Sequence, residues 1–123
     1  MILADCAAGT GCPVIASLQG SDFAVAVAEP SESSLSDIKK ALDVAEHFGI
    51  PCAMIINKCG LNPPVLRKIK KFAEKEGIPV LAEIPHDRRF LKSAVEMRPA
   101  VFYGKDIESI FDDIAGKVLR SFQ

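Results

Sequence analysis

No apolar run in this sequence approaches the roughly 20 residues that an α-helix needs to cross a bilayer; runs such as residues 23–28 and 53–56 are only strand-sized. No membrane span is expected. The opening Met1-Ile2-Leu3-Ala4-Asp5 lacks the basic start and long apolar stretch of an export signal, so cytoplasmic residence is the expectation. Charge of one sign is also missing. The 15 Lys and Arg stand against 16 Asp and Glu, and a net charge of -1 supplies no overall drive toward nucleic acid or an anionic membrane. The four cysteines, Cys6, Cys12, Cys52 and Cys59, show no Cys-x-x-Cys spacing and are too sparse for a disulfide scaffold. Reduced thiols are expected, with Cys52 and Cys59 beside a strand acting as small apolar groups.

What the sequence does have is the balance of one globular domain: 123 residues, 49% hydrophobic and 25% charged. Short apolar runs at residues 2–5, 23–28, 52–57 and 79–83 read as strands, each too apolar to leave one face in water. Helical spacing fills the intervals. Leu35, Ile38, Ala41, Leu42 and Ala45 make one stripe, preceded by serines and stopped at Gly49. Pro63 or Pro64 opens the next helix, with Val65, Leu66, Ile69, Phe72 and Ala73 on its apolar face and Gly77 at its end. Its opposite, lysine-rich face reads as solvated. Asp87 is expected to cap a short helix carrying Phe90, Leu91, Ala94 and Val95, and Asp106 a last one carrying Ile107, Ile110, Phe111, Ile114, Val118 and Phe122. The alternation predicts an α/β fold, a three-layer Rossmann-like sandwich around a mainly parallel sheet.

Chemistry is concentrated where the first predicted strand ends in Asp5 and runs into Gly9-Thr10-Gly11-Cys12-Pro13. A carboxylate at the carboxyl end of a parallel strand lies at the crevice where open α/β sheets bind ligands, placed to hold magnesium directly or through water. Glycines beyond it let backbone N–H groups approach an anion, and Pro13 can start a helix whose positive end faces the same point. By itself this is ordinary punctuation of an α/β chain. Asp5 can equally cap a turn, Asn57 can bond loop backbone, and His86 reads as a surface loop residue.

Several motifs in order give the stretch more weight. Asp5-Cys6-Ala7-Ala8-Gly9-Thr10-Gly11-Cys12-Pro13-Val14 resembles the Asp-x-Pro-Pro-Gly-x-x-x-Pro-Val segment of MinD/ParA-type P-loop ATPases, where the Walker B aspartate leads into switch II. Residues 23–30 with Ser33 and Asp37 resemble that family's valine-rich strand, Thr-Glu-Pro and Ser-x-x-Asp; Ile55-Ile56-Asn57-Lys58 resembles its adenine-facing Asn-Lys motif. Ile84-Pro85-His86-Asp87 is similar to its Ile-Pro-x-Asp loop, and Glu96-Met97-Arg98-Pro99-Ala100-Val101 to its closing Glu-Gly-Arg-Pro-Val-Val. Residues 9–16 and 45–51 look closest to the subgroup with an inserted iron–sulfur ferredoxin domain, an insert absent from this sequence.

The resemblance implies a partial P-loop NTPase fold, corresponding to the C-terminal part of the ATPase domain. It implies that Asp5 orders magnesium and its water, that the backbone from Gly9 to Gly11 senses the γ-phosphate, and that Asn57, Lys58 and the loop from Pro85 to Asp87 surround adenine. ATP and magnesium are the implied cofactors. An iron–sulfur cluster would need the upstream insert or two chains, with Cys12 as the metal-ligand candidate. Two departures stand out: Ala7-Ala8 replace the proline pair, and Gly60 stands where relatives often carry a base-reading acid. The Gly-x-x-x-x-Gly-Lys-Ser/Thr phosphate loop is missing, since Gly104-Lys105 is followed by Asp106 and Gly116-Lys117 by Val118. The isolated chain is therefore expected to be inactive, with a weakened sheet edge where the phosphate-loop strand would lie, and to pair with a missing N-terminal part or as a homodimer. The alternatives are a non-enzymatic interaction module on the same scaffold, or a thiol- or metal-handling protein built around Cys6 and Cys12.

Overall fold

The computed structural model describes residues 1–7, 9 and 11–121. Among these residues three strands, β1 (Ala24–Ala28), β2 (Cys52–Cys59) and β3 (Val80–Pro85), form one parallel sheet in the order β1-β2-β3. The α-helices that accompany them among the described residues are α1 (Cys12–Leu18), α2 (Glu32–His47), α3 (Pro63–Lys75), α4 (Arg88–Val95) and α5 (Lys105–Arg120), with a 3-10 turn at Ala100–Tyr103. Because successive strands are neighbours, right-handed crossovers put α2 and α3 on the same face.

The central strand shows the layering in its alternation. Met54 and Ile56 point to one side, into a core with Leu35, Ile38 and Leu42 of α2 and Val65, Ile69 and Ala73 of α3. Ala53 and Ile55 point to the other, where Leu81, Ile84 and Ile114 are buried with Phe90 and Phe111 packed against them. Both faces are covered, which is why β2 is apolar almost throughout. A third, smaller cluster joins Val14 and Leu18 of α1 to Ala45 and Ile50.

Local chemistry sets the helix ends. Ser31 Oγ accepts from the Ser34 N–H at 3.1 Å to cap α2, and Asn62 Oδ1 accepts from the Val65 N–H at 3.4 Å to cap α3. Asp87 caps α4 as expected, Oδ1 accepting from the Arg89 N–H at 2.8 Å. Pro13 lies in the first turn of α1.

Three expectations are corrected. Residues 2–5 are not a strand: Ile2 and Leu3 are 96% and 86% exposed, and the sheet's hydrogen bonding begins at β1. An apolar run becomes a strand only when a neighbour supplies its hydrogen bonds, and none of the described residues does so here. Asp106 does not cap the last helix; Gly104 occupies that position and Asp106 lies in the first turn, committed to Arg89. Leu91, Ala94 and Val95 of α4 face solvent, with Ser93 the helix's one buried residue. Phe122, assigned to the last apolar stripe, lies outside the described residues.

Candidate functional site

The carboxyl ends of the strands gather four of the sequence-identified residues. In the β2–β3 register Ile56 faces Glu83 and Cys59 faces Pro85, so Asn57 and Lys58 together oppose Ile84 alone. This is a bulge, the device that re-aims side chains next to functional sites. Lys58 adopts φ 52°, a left-handed conformation uncommon for a residue with a side chain. Asn57 supports it, its Oδ1 accepting from the Lys58 N–H at 2.9 Å. Lys58 Nζ reaches across to Glu29 Oε1, just past β1, at 2.8 Å. The His86 N–H donates to the Cys59 carbonyl at 3.1 Å, tying the loop from Pro85 to Asp87 to the same edge.

Behind that loop sits a charged clasp. Asp87 receives the Arg89 guanidinium through Nε, at 3.0 Å to Oδ1, and through Nη2, at 2.7 Å to Oδ2. Arg89 also forks onto Asp106, Nη1 to Oδ1 at 2.8 Å and Nη2 to Oδ2 at 2.6 Å. Hydrogen bonds from Arg89 hold Asp87 down at about 2, and they lower Asp106 as well. The Asp87 carboxylate is thus largely spent on α4, and what the loop offers a ligand is backbone and the Pro85 and His86 side chains. Sequence reading missed Arg89 and Glu29 as positioning groups; the signals were the Arg pair directly after Asp87 and the acid at the end of β1.

The remaining candidates precede α1. Asp5, Gly9, Gly11 and Cys12 are all exposed, and no hydrogen bond or ion pair ties any of them to the four at the strand ends. Gly11 caps α1 through its backbone, its carbonyl accepting from the Val14 N–H at 3.0 Å. Ala8 and Thr10, also in this stretch, lie outside the described residues. Among the described residues no three His, Cys, Asp or Glu side chains gather around a possible metal position. Asp5 is a single exposed carboxylate in this stretch. Cys52 and Cys59 are half-buried, and burial raises both thiols. No helix among the described residues is long and apolar enough to cross a membrane.

No protein-family model matches the chain. Over 117 residues it is 26% identical to the uncharacterized protein MJ0579 of Methanocaldococcus jannaschii, an alignment covering 95% of this chain and 39% of that protein. Over 54 residues it is 32% identical to the uncharacterized protein MJ0578 of the same organism, covering 44% of this chain and 20% of that protein. The chain spans well under half the length of either relative.

Proposed function

We propose that this chain is the C-terminal part of a MinD/ParA-type ATPase domain, supplying the base-facing and magnesium-ordering residues of a nucleotide switch while the phosphate-gripping loop is supplied from outside residues 1–123. The observation that carries this reading is the bulged, left-handed Lys58 beside Asn57, facing the Pro85–Asp87 loop at the carboxyl ends of parallel strands. Strain of this kind, about 1–3 kcal/mol, collects at functional sites. Ligands of open α/β sheets bind at that edge.

The sheet edges support the same reading. On β3, Lys117 Nζ donates to the Leu81 carbonyl at 2.6 Å, so a charged side chain covers that outer strand. β1, at the other edge, is an uncharged Ala-Val-Ala-Val-Ala run that among the described residues pairs with β2 alone. An unguarded apolar edge is a site for another strand. A strand leading into a phosphate loop would fit there, with residues 2–5 pairing beyond it and Asp5 carried to the ligand edge. The longer aligned relative agrees with a chain that is part of a larger protein.

In this proposal magnesium, when bound, neutralises phosphate charge and orders water. Asp5 holds that ion or its water, Asn57 and the Pro85–Asp87 loop flank the base, and Glu29 fixes Lys58. Titration of magnesium–ATP into the chain mixed with a separately expressed phosphate-loop segment tests it. Micromolar binding by the mixture but not by either part, weakened about tenfold by Asn57→Ala, is the expected result. A mixture that assembles and still fails to bind would favour the interaction module. Homodimerisation through the β1 edge is the related proposal, and a strictly monomeric mass by light scattering at high concentration would defeat it.

A further inference from the structure

The outward face of α4 and the turn beyond it carry apolar side chains that the described residues leave largely exposed. Leu91 and Val95, one helical turn apart, are 69% and 76% exposed, and beyond the helix end Met97 and Phe102 are 93% and 63% exposed. Scattered exposed apolar residues are normal, whereas several on one short element mark an interaction surface. The packing partner of this helix is already supplied on its other side, where Ser93 is buried and Phe90 meets Phe111 edge-on at 6.4 Å between ring centres.

The charges around this face point in one direction. Arg89 is neutralised by Asp87 and Asp106, and Lys92 lies 4.0 Å from Glu96. Arg88 and Arg98 form no ion pair among the described residues. The Arg98 guanidinium instead stacks over the Phe102 ring at 4.9 Å, extending the apolar area while keeping its charge unspent. Arg88, one helical turn before Leu91, and Arg98, stacked on Phe102, thus place positive charge at the borders of the exposed aliphatic stripe.

We propose that this face of α4 docks an acidic, amphipathic protein segment, its leucine-like side chains over Leu91 and Val95 and its carboxylates on Arg88 and Arg98. The pattern is that of an amphipathic helix laid against a complementary surface. The same helix is anchored at its first turn to the Pro85–Asp87 loop through Arg89, so a docked partner would sit directly beside the strand-end site. The proposal is independent of whether that site takes a nucleotide.

The test uses the whole chain, without nucleotide, and a fluorescein-labelled 14-residue peptide with leucines on one helical face and glutamates on the other. Anisotropy should show saturable binding that weakens at least tenfold in Arg88→Glu/Arg98→Glu, and likewise in Leu91→Ser/Val95→Ser. An amide-shift map should centre on residues 88–102. These side chains are exposed, so unchanged circular dichroism is expected to confirm that both variants fold. Equal binding of a lysine-for-glutamate peptide, shifts centred elsewhere, or no binding up to millimolar peptide would overturn the proposal. Two further results would also overturn it: retention by anionic phosphatidylglycerol vesicles lost in Arg88→Glu/Arg98→Glu, which would assign the face to lipid, and a dimer abolished by Leu91→Ser, which would assign it to a second copy.

Discussion

The Arg89 guanidinium and the Asp106 carboxylate meet in a two-bond fork across 17 residues of sequence, joining the start of α4 to the start of α5. The same guanidinium holds Asp87, and its Nη1 also reaches the Tyr103 carbonyl at 3.4 Å. A single cation therefore sets the geometry of the Pro85–Asp87 loop relative to the chain's last helix. Arginine suits the position because its planar fork can serve two carboxylates at once.

Acid should expose this clasp. The Asp87 carboxyl lies at about 2 in the folded chain against an ordinary 3.8, chiefly through its hydrogen bonds with Arg89. A depressed folded value means that the stabilisation is present above the unfolded value and is lost as pH falls through about 4 toward 2. Asp106 is lowered in the same direction and adds to the effect. Urea midpoints measured across this window should fall in the wild type and fall less steeply in Arg89→Ala.

Gly104 is a second handle on the same contact. Its backbone is extended at φ 166°, so another residue meets no strain there, yet an added methyl group would press on Arg89 Nη1 and Asp106 Oδ1. Both are the ends of flexible side chains and can move. Gly104→Ala should leave the fold intact while separating Arg89 from Asp106, giving the shallower acid profile of Asp106→Ala. A full wild-type profile in Gly104→Ala would show that the fork survives.

Met97 occupies the left-handed position that ends α4, at φ 51°. The Met97 and Arg98 N–H groups donate back to the Ala94 and Ser93 carbonyls at 3.2 and 3.0 Å, the Schellman pattern that favours glycine. The family segment resembled here has glycine at this place. Met97→Gly should stabilise the chain by about 0.5–1 kcal/mol, the relief of left-handed strain exceeding the added freedom of the unfolded chain. A lower urea midpoint for Met97→Gly would contradict this.

Without a phosphate loop the isolated chain should hydrolyse no ATP and bind magnesium–ATP no tighter than about millimolar, near 4 kcal/mol of affinity. Calorimetry is the measurement. Micromolar, magnesium-dependent binding by the chain alone would remove the division of labour proposed for the site.

The sequence by itself determined the elements whose code is local. Leu35, Ile38 and Leu42 recur at the helical period behind a serine cap, and Val65, Ile69 and Ala73 do so behind Pro63 and Pro64; both stripes are the buried ones. The apolar continuity of β2 likewise announced a strand covered on both faces, and the Asn57–Lys58 pair and the Pro85–Asp87 loop were legible as strand-end residues. Tertiary structure alone decided three things. Residues 2–5 have strand composition, but a strand exists only where a neighbour accepts its hydrogen bonds, and that neighbour is a matter of distant pairing. Leu91 and Val95 share an apolar pattern with Phe90, but only the position of α5 selects which side of α4 is covered. Asp87 and Arg89 are two residues apart and meet locally, but only the packing of α5 brings Asp106 onto the same guanidinium. In each case the deciding contact is between residues far apart in the chain, whose approach depends on how the layers pack and not on any local run of amino acids.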